Sequence, residues 1–257
     1  MKDHPPIPVV VFDALDSTNA EARRRAEAGE RGPVWLMARR QTAGVGRRGR
    51  AWDGGEGNLA ATLLLTLDKP PAEAGQLAFV AAVAAAEAIA AYVPPSLVRL
   101  KWPNDVLVDG RKACGMLVES GPAWEGGAKS GSIWAAVGIG INLCSYPEAV
   151  ERPATALAEH LTHDQMRPPT PDEALARLAG AFDGALALWR SQGFEPIRQA
   201  WLAQAGGLGG ACTARLERES VTGVAEGLDA DGALLLRLPG GMLRRITAGD
   251  VFFGAPS

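Results

Sequence analysis

Three stretches of this 257-residue chain carry residue types that could hold and polarise an anion. The first is Arg39-Arg40-Gln41-Thr42-Ala43-Gly44-Val45-Gly46-Arg47-Arg48-Gly49-Arg50-Ala51-Trp52, where five arginines fall within twelve positions and no acid intervenes. Glycines let backbone N–H groups come close to an anion, and guanidinium forks suit phosphate and carboxylate. Arg39, Arg40 or Arg48 taken singly reads as a solvated surface charge. The ordered combination of glycines, arginines and a tryptophan is harder to read that way. The second stretch is Lys101-Trp102-Pro103-Asn104-Asp105, with Lys112-Ala113-Cys114-Gly115 after it. Locally the first part is a proline turn with Asn and Asp bonded to backbone. Lys112 falls just past a tight turn that can aim its ammonium along a sheet, and Gly115 in mid-strand marks a close approach. The third is Gly138-Ile139-Gly140-Ile141-Asn142. Alternate glycines in a strand suggest a flat surface for something to pack on. Asn142 reads equally as a ribose or phosphate contact and as an ordinary strand end.

Two familiar phosphate motifs fail on context. Gly44-x-Gly46-x-x-Gly49 follows a predicted strand, with Asp68 further on, and so mimics a dinucleotide fingerprint. That fingerprint must open a helix, and the glycine-rich run at 50–57 cannot be one. No Gly-Lys-Ser/Thr follows, so a Walker A loop is excluded too.

The elements that must position these residues are legible in outline. Residues 9–12 and 34–38 read as strands. Between them a helix runs from Asp16-Ser17-Thr18-Asn19 to about Ala28, with Thr18 and Glu21 spaced as a capping box. Residues 39–57 have no hydrophobic period and read as a loop that is mobile when empty. A strand at 58–66, a long helix at 72–92 and a strand at 98–101 follow. Asp109-Gly110 turns a hairpin between 106–108 and 112–119. Residues 121–131 read as a loop, 133–143 as a strand, and 171–191 and 195–204 as helices anchored by Trp189 and Trp201. Gly206-Gly207-Leu208-Gly209-Gly210 reads as a boundary. Beyond it, short strands at 212–217, 221–228, 233–238, 242–247 and 250–253 predict a small β-barrel. The expected class is α+β, divided into a domain at 1–205 and a small β domain at 206–257.

Composition narrows the function classes. The chain is 47% apolar and 21% charged, which excludes disorder. Its formal charge is −3, against a surface devoted to nucleic acid. Cys114, Cys144 and Cys212 form no paired motif, which suits a reducing compartment. His160 and His163 read as a solvated helix face rather than metal ligands. The apolar run 77–93 carries Glu87 and reads as a buried core helix rather than a membrane span. The expected location is the cytoplasm.

Taken together and in order, Asp16-Ser17-Thr18-Asn19, the glycine–arginine loop to Trp52, Lys101-Trp102-Pro103-Asn104-Asp105, Lys112-x-x-Gly115 and Gly138-x-Gly140-x-Asn142 resemble the biotin–protein ligases. The resemblance runs from about residue 9 to the C-terminus. It implies a mixed central sheet with helices, of the class II aminoacyl-tRNA synthetase-like kind, and a C-terminal SH3-like β domain. It implies that biotin is activated by Mg-ATP as biotinyl-5′-AMP, then passed to one lysine of a biotin carboxyl carrier domain. Two anions must meet in such a reaction. At about 4 Å and an effective dielectric near 20 they repel by roughly 4 kcal/mol, so fixed cations are needed. The resemblance gives that catalytic role to Lys112, Arg47 and Arg50. It places Ser17, Thr18, Asn19, Gln41, Gly44, Val45, Gly46, Arg47, Lys112 and Gly115 at biotin. Arg47, Arg50, Trp52, Asn104, Lys112 and Asn142 fall at ATP or the adenylate, with Mg2+ carried on the ATP phosphates. Ser17 and Thr18 read on their own as plain helix capping.

The family's loop usually reads Gly-Arg-Gly-Arg, and Val45 here removes one arginine side chain while leaving the backbone donors. Cys114 is expected to pack rather than react. Some members begin with a DNA-binding helix-turn-helix. About a dozen residues precede Asp13, too few for one, so ligation without operator binding is the expectation. A homodimer is compatible with the resemblance. The nearest other enzyme is a lipoate or octanoate transferase of the same fold. A non-enzymatic reading is a nucleic-acid adaptor that uses the basic loop and the small barrel.

Overall fold

The computed structural model describes residues 6–125, 128–147 and 153–254. Along the chain come β1 (Val9–Phe12), α1 (Thr18–Glu27), β2 (Val34–Ala38) and β3 (Leu59–Leu67). Then follow α2 (Leu77–Ile89), β4 (Val98–Lys101), β5 (Asp105–Val108), β6 (Arg111–Glu125) and β7 (Ala128–Ile141). Helices α3 (Pro171–Gln192) and α4 (Phe194–Ala203) complete the larger part. Its seven strands form one sheet in the order β1-β2-β3-β7-β6-β5-β4. Only β1 and β2 are parallel, with α1 as the connection; the remaining pairs are antiparallel.

The apolar sequence VWLMA of β2 is buried throughout because both faces of the sheet are covered. Val34 and Leu36 pack with Ala22 and Ala26 of α1. Trp35 and Met37 point the other way, and Trp35 meets Phe182 of α3 edge to face at 5.7 Å. That second face carries α2, which is buried along most of its length while Glu87 stays exposed. By length and composition residues 71–89 could cross a membrane, but most of the stretch is enclosed by protein. Trp189 and Trp201 are core anchors as expected, at 0% and 1% exposure.

Four local expectations are corrected. Residues Pro71–Gln76 form a 3-10 turn, so the α-helix starts at Leu77. Ser17 caps α1, one residue before the predicted cap, and accepts from the Ala20 N–H at 3.4 Å. Thr18 is engaged elsewhere, since its N–H and hydroxyl both donate to Gln41 Oε1. The stretch expected as a loop at 121–131 belongs mostly to β6 and β7, with 126–127 outside the described residues. The pairing absorbs Pro122, which has no N–H to donate, through a register shift between Pro122 and Trp124. His160 ends a 3-10 turn and His163 lies in a turn, so neither sits on the helix face expected. Among the described residues no three His, Cys, Asp or Glu side chains gather as a metal site.

The C-terminal unit has β8 (Ala211–Arg215), β9 (Ser220–Leu228), β10 (Leu234–Arg237), β11 (Leu243–Ile246) and β12 (Asp250–Phe253). They form an SH3-like antiparallel sheet in the order β11-β10-β9-β8-β12. Trp102 Nε1 donates to Gly232 O at 3.0 Å, and the Arg198 guanidinium donates to Leu228 O. These bonds tie the β4–β5 turn and α4 to the small sheet.

Candidate functional site

A cavity of about 230 Å³ opens on the face of the large sheet that carries α1. Its floor follows from strand register. Gly140 lies opposite both Ala60 and Gly115, and Gly138 lies opposite Thr62 and Leu117. Five small residues on three adjacent strands therefore share one patch. A Cβ at Gly140 would lie 2.4 Å from the Trp52 ring, one at Gly138 would lie 2.1 Å from Asn19 Oδ1, and one at Gly115 would lie 2.9 Å from Lys112 Nζ. The glycine surface expected for the third stretch is present, and the side chains resting on it come from the other predicted segments.

One wall is the start of α1. Thr18 N–H donates to Gln41 Oε1 at 2.8 Å. The Thr62 hydroxyl lies 2.8 Å from Thr18 Oγ1 and 2.7 Å from Asn19 Oδ1. Asn19 Nδ2 donates to Glu119 Oε2 and Leu117 O. Ser17, Thr18 and Asn19 are all buried, so this network fixes polar groups at the inner end of the cavity.

The opposite wall is the basic loop. It closes on itself through Trp52 N–H to Gly44 O and Gly46 N–H to Arg50 O. Gly44 is required because a Cβ there would lie 2.4 Å from Trp52 O. Val45 lines the cavity with its side chain half exposed. Arg47 Nη1 donates to Asn104 Oδ1 at 3.1 Å, and its Nη2 reaches Gly249 O at 3.4 Å. Burial pulls the Arg47 guanidinium below the ordinary arginine range, while Asp250 and Asp105 act the other way. No helix opens after Gly49. Arg39 is turned away and pairs with Asp172 at the start of α3.

Lys112 stands between the walls. Its Nζ is 2.5 Å from Asp105, which is 3% exposed, and 5.5 Å from the centre of the Trp52 ring. Asn104 is locked by Nδ2 to Met116 O at 2.6 Å. Asn142 gives Nδ2 to Thr155 O, whereas its buried Oδ1 has no hydrogen-bond partner among the described residues. Trp52 Nε1 is likewise buried without one. Such orphans at a cavity wall are unmet bonding capacity of the kind a polar ligand satisfies. Cys114, one residue from the cavity lining, is fully enclosed, and burial pushes its thiol far above the usual range. It packs rather than attacks.

The cavity thus gathers Ser17, Thr18, Asn19, Gln41, Val45, Gly46, Arg47, Arg50, Trp52, Asn104, Lys112, Gly115 and Asn142. Gly44 supports the loop from behind. Sequence reasoning missed three acids. Asp105 ends the Lys101–Asp105 segment, where it reads as a turn residue; Glu119 and Asp250 lie far from every motif they touch, and nothing in their local sequence marks them.

Fold and site define a protein with a polar cavity between a glycine-floored sheet and an arginine loop. The chain belongs to the biotin protein ligase family. Residues 11–138 match the biotin/lipoate A/B protein ligase family, and residues 207–254 match the biotin protein ligase C-terminal domain. The chain is 43% identical to the biotin–[acetyl-CoA-carboxylase] ligase of Paracoccus denitrificans, over 93% of this chain and 98% of that one. It is 31% identical to a bifunctional ligase/repressor of Bacillus subtilis, over 96% of this chain and 74% of that one. The Aquifex aeolicus biotin protein ligase in complex with biotin and ATP has the same fold. Its TM-score is 0.76 at 26% identity, covering 96% of this chain and 99% of that one.

Proposed function

We infer that the protein is an ATP-dependent biotin–protein ligase. The biotin carboxylate attacks the α-phosphate of ATP, giving biotinyl-5′-AMP and pyrophosphate. The amine of one lysine on a biotin carboxyl carrier domain, as in acetyl-CoA carboxylase, then attacks the anhydride carbonyl and AMP leaves. The observation that carries this reading is the convergence of Lys112, Arg47 and Arg50 on a cavity floored by glycine. Lys112 stands where a carboxylate and a phosphate would meet, Arg50 holds phosphate, and Arg47 closes over the adenylate. The polar groups of Ser17, Thr18, Asn19 and Gln41 take the ureido ring. Gly115 and the backbone of Gly44, Val45 and Gly46 border biotin, and Trp52, Asn104 and Asn142 border the nucleotide. Asp105 and Asp250 already pair with cations, so Mg2+ would arrive on the ATP phosphates, where it offsets their charge. The division near residue 206 is supported by the C-terminal match at 207–254. A cytoplasmic location is supported by the free thiols Cys114, Cys144 and Cys212.

Incubation of an apo carrier domain with ATP and either biotin or lipoate tests the reading. Biotinyl transfer is expected; lipoyl transfer alone would overturn it. DNA retention in a low-salt gel shift is expected to be absent, in keeping with the charge of −3. A methyl group on the cavity floor should act through the ligand rather than the fold. Gly140→Ala displaces Trp52, which sits on an exposed loop. Biotin affinity by calorimetry is expected to fall about tenfold, while the melting temperature moves by no more than a few degrees.

A further inference from the structure

We infer that Asp250, the first residue of β12, is a positioning residue that holds Arg48 and Arg50 at the cavity for ATP. The inference rests on the function proposed above. The Asp250 side chain is 9% exposed, yet Asp250 lines the cavity built on the large sheet. Its Oδ2 accepts from Arg48 Nη1 at 3.2 Å and also from Arg50 Nη2. Arg50 lines the same cavity, with its side chain 45% exposed. The neighbouring Gly249 carbonyl takes Arg47. One corner of the small sheet therefore meets three of the five arginines of the loop.

The loop's backbone shows why such a hold is needed. Arg48 has φ +58°, a left-handed conformation that glycine adopts easily and arginine does not. Backbone bonds at the loop's ends, Gly46 N–H to Arg50 O and Trp52 N–H to Gly44 O, close the loop but do not hold the Arg48 and Arg50 side chains. A carboxylate bridging Arg48 and Arg50 fixes the strained turn and presents Arg50 before the phosphates arrive. Preorganised cations cost no reorganisation when the anion binds. Because Asp250 comes from the C-terminal unit, ATP capture depends on that unit being docked.

The test is steady-state pyrophosphate release by the full chain, with biotin affinity and melting measured on the same preparations. Asp250→Asn is expected to raise the KM for ATP at least tenfold, leaving kcat within threefold and biotin affinity in the absence of ATP within twofold. Asp250→Glu, which keeps the charge, should fall between the two. In an Arg50→Ala background Asp250→Asn should add little, since its main target is gone. An unchanged or lowered KM for ATP, or effects that multiply in the double variant, would overturn the inference. Lowered KM would mean that the carboxylate competes with phosphate. If Asp250→Asn fails to fold, Asp250→Glu carries the test, with a rise of threefold or more expected. A wild-type chain without biotin-dependent pyrophosphate release would overturn the function and this inference together.

Discussion

Lys112→Ala is expected to slow biotinyl-adenylate formation by about 10²–10³-fold, a barrier increase of roughly 2.7–4 kcal/mol. The ammonium is fixed before any ligand enters. It is ion-paired to buried Asp105, and the Trp52 ring lies beside it. Two anions approaching to bonding distance need such a charge where their repulsion peaks, and a preset cation acts without reorganisation. Pre-steady-state release of pyrophosphate isolates the step, with biotin affinity in the absence of ATP measured separately. A rate within threefold of wild type would remove Lys112 from the chemistry. Loss confined to biotin affinity would make it a binding residue only.

Arg47→Gly should leave adenylate formation within about an order of magnitude and release the product instead. Arg47 bridges the loop to Asn104 and the Gly249 carbonyl, so its side chain closes that part of the cavity wall. Glycine leaves that closure open and adds backbone freedom to the loop. Dissociation of bound biotinyl-5′-AMP is expected to quicken by about tenfold or more, as 1.4 kcal/mol per decade converts the loss of one or two hydrogen bonds to a half-buried guanidinium. The escaped anhydride would acylate lysines of bystander proteins in the same tube. Stopped-flow dissociation and labelling of serum albumin read both effects. Dissociation at the wild-type rate would exclude this role for Arg47.

Much of the site was legible because its chemistry is local. The arginine loop pointed to an anion by residue type and the glycine strand to a surface for packing, whereas the Lys101–Asp105 segment read locally as a proline turn and gained a role through the family resemblance; the cavity brings the three together. The partners that fix them were not legible. Asp105 and Lys112 meet across the β5–β6 hairpin, and Asp250 meets Arg50 from 200 residues away. Pairings of that kind are set by strand order, which no short window contains. The helix cap slipped by one residue for a related reason. Gln41, 23 positions on, claims the Thr18 N–H, so Ser17 caps instead. The long β6–β7 hairpin was hidden because glycine and proline at 121–131 signal a turn locally, while pairing along the whole hairpin outweighs them.

The glycine floor also limits how this site can drift. At Gly115, Gly138 and Gly140 the cavity is bounded by backbone, and backbone cannot be shortened by substitution. Every change at those three positions makes the chamber smaller. Selection can therefore narrow the ligand from that side but never widen it, and any variant that admits a bulkier acid must find its room in the opposite wall.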